Sequence, residues 1–153
     1  MTKAIQDIVA EGNLPENSDD VLPLISNGEE YISQEGETWD FKETWPFSYS
    51  DDYFGGLARL VCAFANTSGG LIIFGVDDST RKGGRTKTQP NVDRFEQAFE
   101  QLTGVKAPIQ LRRYKSLTLG DVDILLVSRK QSSQLPFRFS RRIGNYPPDT
   151  KLQ

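Results

Sequence analysis

Cys62-Ala-Phe-Ala-Asn-Thr-Ser-Gly-Gly-Leu-Ile-Ile-Phe-Gly-Val-Asp-Asp78 reads as the end of a buried helix, a double-glycine turn, a buried strand, and two carboxylates where the strand runs out. Leu71–Val76 is too continuously apolar to leave one face in water, so it predicts an interior strand. Upstream, Asp51-Asp52 starts a helix by both capping and dipole arguments. That helix runs from about Tyr53 to Ala65, with Phe54, Leu57, Leu60, Val61 and Phe64 as its inward stripe. The Asn66–Gly70 turn has two readings: a backbone cradle for an anion, or a helix C-cap with glycine at positive φ. It follows a helix and precedes a strand, the reverse of a P-loop, and no Gly-Lys-Ser/Thr accompanies it.

Outward from this unit, Thr38–Trp45 alternates. Trp39, Phe41, Glu43 and Trp45 fall on one face; Thr38, Asp40, Lys42 and Thr44 fall on the other. Residues 3–11 carry Ala4, Ile5, Ile8 and Val9 at helical spacing, with Gly12 as a stop signal. Ser18 or Asp19 caps a short helix through about Ile25. Residues 1–30 therefore read as an N-terminal helical appendage, and residues 31–153 as the main domain. Downstream, Thr80–Gln89 is a basic, glycine-containing loop. Asn91 opens a helix through about Leu102 that buries Val92, Phe95, Phe99 and Leu102, and Gly104 ends it. Ile109–Leu117 and Val122–Ser128 predict two strands turning at Leu119-Gly120-Asp121, and Leu135–Ile143 a further strand. Helices and strands in this order predict an α+β fold, a mixed β-sheet flanked by helices.

Composition narrows the chemistry. The 153 residues suit one domain, and a mean hydropathy of -0.49 is that of a water-soluble chain. No apolar run approaches the roughly 18–20 residues a membrane span needs, and the N-terminus has no secretory or transit character. The expectation is a cytoplasmic protein with no membrane partner. Cys62 is the single cysteine and sits among apolar neighbours, so it reads as a core residue. Histidine is absent from the sequence. That excludes Ser–His and Cys–His nucleophile pairs and Cys/His zinc sites, and leaves carboxylates, Lys/Arg, Tyr or a metal held by oxygen. The net charge of -3 hides a polarity: residues 1–79 carry 15 Asp/Glu against 3 Lys/Arg, and residues 80–153 carry 15 Lys/Arg against 6 Asp/Glu. An acidic face beside a basic one is one reading, and interleaved surface charge is the other.

The acidic groups fall at strand ends. Asp40 and Lys42 share a strand face about 6.5–7 Å apart. Asp78 lies just beyond the buried strand, with Asp77 as its alternative should the strand end early. Glu35 precedes the first strand, and Glu37 competes with it. If the two strands are neighbours, these groups make a compact acidic site. Two or three carboxylates hold Mg²⁺ or Mn²⁺, which demand oxygen ligands, and such a metal activates water against a phosphodiester. Asp77 and Asp78 equally suit a solvated turn. The basic residues Arg81, Lys82, Arg85 and Lys87 lie in the Thr80–Gln89 loop, and Arg112, Arg113 and Lys115, then Arg129, Lys130, Arg138, Arg141 and Arg142, interleave with Tyr114, Phe137, Phe139 and Tyr146. Cations among aromatics suit a nucleic-acid backbone with an occasional stacked base; solvated strand faces are the competing account.

Trp39-Asp-Phe-Lys-Glu43, followed by Ala63-Phe-Ala-Asn-Thr-Ser-Gly-Gly-Leu-Ile-Ile-Phe-Gly-Val-Asp-Asp78 and Arg142-Ile-Gly144, resembles the AlbA-2 domain shared with Schlafen proteins. The resemblance spans roughly Glu35 to Gly144. It implies a Schlafen-type, metal-dependent endoribonuclease acting on structured RNA such as tRNA, in stress or phage defence. Glu35, Asp40 and Asp78 would be its Mg²⁺ or Mn²⁺ ligands, with Lys42 assisting. Asp40 stands where the family more often has Glu. The resemblance also implies a homodimer, because Schlafen cores pair two related lobes around a groove. The alternative it carries is a non-catalytic module that binds DNA or RNA.

Overall fold

The computed structural model describes residues 4–32, 38–84 and 89–149. Its centre is β2 (Gly70–Phe74), an interior strand buried along its whole length. β1 (Trp39–Lys42) pairs with it in parallel, matching Asp40 to Ile72 and Lys42 to Phe74. On its other side runs β4 (Val122–Val127), antiparallel, with Ile72 opposite Leu125. β3 (Ile109–Tyr114) closes that edge, giving the order β1-β2-β4-β3. The sheet is mixed and the fold is α+β, as the sequence predicts.

Both faces of the sheet are covered, which is why β2 and β4 are continuously apolar. Ile72, Phe74, Leu125 and Val127 face a layer built by α3 (Asp52–Asn66) and α4 (Val92–Thr103). Leu71, Ile73, Ile124 and Leu126 face the N-terminal segment, including α1 (Ile5–Glu11) and α2 (Leu22–Ile25). Ile8, Val21 and Ile25 of that segment are fully buried there. The Tyr114 hydroxyl donates to the Pro15 carbonyl at 2.5 Å, and the Leu14 N–H donates to the Gln110 side chain at 2.6 Å. The segment expected as a helical appendage thus packs its apolar side chains on the second face of the sheet.

Local signals set the helix ends. Asp51 caps α3, its carboxylate accepting from the Phe54 N–H at 3.0 Å. Asn91 caps α4 in the same way through Arg94, and Gly104 ends it at φ 79°. The Asn66–Gly70 turn is a helix end rather than an anion cradle. The Gly69 N–H donates to the Phe64 carbonyl at 2.7 Å with Gly69 at φ 80°. A Cβ on Gly69 would meet Val9 at 2.6 Å and the Val127 carbonyl at 2.7 Å, so the backbone itself fills this space. Cys62 is buried, which pushes its thiol up to about 12 and leaves it inert.

Three sequence expectations change. The strand predicted over Thr38–Trp45 ends at Lys42, and Trp45 leaves the face of Phe41 for the opposite core layer. There its ring packs 5.1 Å from Phe74 and 5.3 Å from Phe95, in a buried aromatic cluster. Val92 and Leu60 are half-buried rather than core. The strand predicted over Leu135–Ile143 does not form, because side chains replace a ladder. Asn66 donates to the Phe137 carbonyl at 2.9 Å and accepts from its N–H at 2.7 Å, while Asp149 accepts from the Phe139 N–H at 2.6 Å. Phe137 and Phe139 are buried from this irregular, ordered tail.

Candidate functional site

The C-terminal ends of the parallel pair β1 and β2 lie side by side. The Gly75 and Val76 N–H groups both donate to the Lys42 carbonyl, at 2.8 and 3.3 Å, which ties the exit of β2 to the end of β1. Gly75 sits at φ 101° and turns the chain, so Val76 packs in the N-terminal layer and not with Phe74. The buried strand predicted through Val76 therefore ends at Phe74, and its alternation is broken at Gly75. Asp78 still arrives beside β1, by the turn rather than by strand alternation.

A cavity of about 430 Å³ opens there, lined by Asp40, Lys42, Glu43, Thr44, Tyr53 and Asp78 together with Phe41. Lys42 Nζ lies 3.1 Å from Asp40 Oδ2, in a half-exposed ion pair on the edge strand. Strand alternation places both on the face opposite the Phe41 ring, as the sequence predicts. Asp77 is spent on the turn. Its carboxylate accepts from the Thr80 N–H at 2.9 Å, and from the Ser79 hydroxyl and N–H at 2.8 and 2.9 Å. Those donors, the Thr80 N–H foremost, hold it well below the usual carboxylate range. Of the two sequence alternatives, Asp78 lines the cavity.

Glu35 and its competitor Glu37 lie outside the described residues, as do Arg85 and Lys87. Among the described residues no group of three or more acidic or thiol side chains is placed to hold a metal ion. The donors that line the cavity are nonetheless all oxygen on the acidic side, and they lie on an open wall. Such a wall suits Mg²⁺, which keeps several waters and takes only one or two carboxylates beside substrate phosphates.

Alternation put Glu43 on the Phe41 face, yet it lines the cavity with Asp40, because β1 ends at Lys42. Tyr53 is a further member that sequence reasoning missed. It opens the first turn of α3, off the Phe54–Leu57–Val61 stripe, and its hydroxyl donates to the Thr44 carbonyl at 2.6 Å. Burial, with the carboxylates Glu43, Asp78 and Asp40 adding to it, raises its pKa, so the phenol stays a neutral donor at neutral pH. An aromatic off the apolar stripe, directly after a pair of aspartates, was the available signal.

The basic residues divide. Arg81 places its guanidinium 5.2 Å from the Phe41 ring centroid, on the face away from Asp40 and Lys42. Arg113 sits at an exposed position but is engaged by its neighbour strand, donating to buried Asp123 at 2.8 and 3.0 Å. Arg112 lies on edge strand β3, and Lys115 lines a separate hollow against the N-terminal segment. Lys82, Arg141 and Arg142 are exposed, and Arg138 lies near Asp149. No helix among the described residues is long and apolar enough to cross a membrane.

Residues 35–147 match the model of the family described as Schlafen, AlbA_2. No curated protein matches the chain. Among solved structures, the chain is similar to the DIP2311 protein from Corynebacterium diphtheriae, with 19% identity and a TM-score of 0.48. The similarity covers 89% of this chain and 25% of that one, so the chain spans about a quarter of that protein. The family match runs from the residues before β1 through the tail that Asn66 anchors, and the chain belongs to the Schlafen AlbA_2 family.

Proposed function

We propose that this protein is a divalent-metal-dependent endoribonuclease of Schlafen type, cutting structured RNA such as tRNA at the cavity between β1 and the turn after β2. The observation that carries the reading is that Asp40 and Lys42 of β1 and the sequence-distant Asp78 line one open cavity at the ends of two parallel strands. Asp40 and Asp78, with Glu35, would hold Mg²⁺ or Mn²⁺, and the bound metal supplies a water of lowered pKa and offsets charge on the phosphate. The protein's own groups do the rest. Lys42 brings a cation to the same wall, where it neutralises phosphate charge and orients the scissile group. Tyr53 fixes the Thr44 backbone and so the shape of the wall. The exposed basic residues Lys82, Lys115, Arg141 and Arg142, with half-buried Arg112, would grip the RNA backbone, and a second copy of the chain would close the groove.

The test is cleavage of tRNA with Mn²⁺, with and without EDTA, beside Asp40→Ala and Asp78→Ala. Each variant should lose about 100-fold or more in cleavage rate, the scale on which removing stabilisation of transition-state charge acts, while RNA binding persists. The second reading, a binding module without catalysis, is favoured by the Lys42 ammonium 3.1 Å from Asp40 Oδ2, which already occupies that carboxylate. Under that reading the wild type binds and does not cut.

A further inference from the structure

A second cavity, also of about 430 Å³, is lined by residues that follow Thr44 of the acidic one closely in the chain. One wall is the loop Phe47–Ser50; the other is a stripe of α4 formed by Arg94, Gln97, Ala98 and Gln101. Positions 94, 97/98 and 101 fall on one helix face. Ala98, the small member, leaves the floor open. Phe47 is 69% exposed, a large aromatic face held in solvent. Gln97 and Gln101 are exposed and have no hydrogen-bond partner among the described residues. Among the described residues Arg94 supplies the only charge on the lining, with its guanidinium 5.3 Å from the Tyr49 ring centroid.

The loop wall is built in advance. The buried Trp45 donates its indole N–H to the Tyr49 hydroxyl at 2.9 Å, and that hydroxyl donates to the Asn91 carbonyl at 3.4 Å. The Tyr49 ring also packs edge-on to Phe54 at 5.4 Å. Thr44, on the acidic cavity, and Phe47, on this one, are three residues apart, so their Cα atoms lie within about 11 Å. A short oligonucleotide spans both.

From this we infer that the Phe47–Arg94–Gln97–Gln101 cavity is a subsite for an unpaired nucleobase of the nucleic acid cut at the acidic cavity. A free aromatic face stacks a base, two unengaged amides read a base edge, and one cation meets the flanking phosphate. No carboxylate lines the cavity to repel that phosphate. Bases in a duplex are already stacked, so the subsite selects single-stranded segments such as loops and ends. The inference rests on the proposed nucleic-acid role and names the substrate feature it selects.

The experiment is fluorescence anisotropy of a labelled single-stranded RNA dodecamer and of its blunt duplex, in EDTA so that nothing is cut. Wild type is compared with Phe47→Ala and with the Gln97→Ala/Gln101→Ala double variant, all at exposed positions, after thermal melts confirm folding. Both variants should weaken single-strand binding about tenfold, as loss of one stacked base does, and leave duplex binding within about twofold. Unchanged single-strand affinity overturns the subsite, and so does an equal loss for both RNAs. Phe47→Ala that alters sedimentation but not RNA affinity also overturns it, by making the patch a contact between copies. If the wild type binds neither RNA, the nucleic-acid role itself fails. If it binds and cuts tRNA while the variants behave as wild type, only the subsite fails.

Discussion

Asp77 and Asp78 are chemically identical neighbours with different work. Asp77 accepts hydrogen bonds from Ser79 and Thr80 and closes the turn, while Asp78 faces the acidic cavity. Asp77→Asn should therefore lower stability with little effect on cleavage, and Asp78→Asn should do the reverse. The pH dependence follows from the lowered pKa of Asp77, whose ordinary value is 3.8. A carboxyl that releases its proton more readily when folded contributes stability that is fully present above about 3.8. That contribution is lost as pH falls below it toward the folded value, because there the unfolded chain binds more protons. Urea midpoints of wild type and Asp77→Asn should differ at pH 7 and converge below pH 4. A gap that stays constant down to pH 3 would show that the turn does not depend on this charge.

At the scale of elements, β3 and β4 are joined by an ion pair set into their ladder. Arg113 lies opposite Asp123 in register and bonds it through two nitrogens, with Asp123 1% exposed. Arg113→Ala leaves that carboxylate buried without its partner, at a cost of about 2–3 kcal/mol. Arg113→Met combined with Asp123→Leu should recover most of the loss, because removing both charges removes the desolvation cost as well. Urea denaturation of the two singles and the double gives the coupling. The same pair shows what a one-dimensional reading leaves out. Arg113 and Lys115 look alike in sequence, and only the strand register gives Arg113 a buried partner. The unit from Asp51 to Phe74 was legible because its caps, apolar stripe and double glycine are local signals. Asp40 and Lys42 were legible because a strand alternates. Trp45, Val76 and the tail were not, since a ring stack, the Gly75 turn and the Asn66 side chain redirected them, and each is a contact distant in sequence or a single backbone angle. Tyr53 reached the site through α3's first turn, which placed an aromatic beside carboxylates from two other elements.

At the scale of the whole molecule, the family match begins at residue 35, yet the sheet's second face is covered by residues that precede it. Leu71, Ile73, Ile124 and Leu126 would be bare without Ile5, Ile8, Val9, Val21, Leu22 and Ile25. A bare apolar sheet face in water is not a stable arrangement, so residues 4–25 complete the domain that holds the acidic cavity. The same face includes Phe41 and Val76, which flank the strand ends carrying Asp40 and Asp78, so loosening the N-terminal layer reaches the site from below. Ile8 is fully buried in this layer. Ile8→Ala should cost about 2–5 kcal/mol, the range for truncating a core aliphatic, and should lower the melting temperature about as much as Leu125→Ala in the other layer. A detachable segment would instead give Ile8→Ala a cost well under about 1 kcal/mol, with α1 melting separately from the sheet. Calorimetry distinguishes the two outcomes: one cooperative transition that moves with Ile8→Ala supports a single core, and an additional low-temperature transition, with the main one unmoved, would show that the N-terminal layer folds apart from the half that holds the acidic cavity.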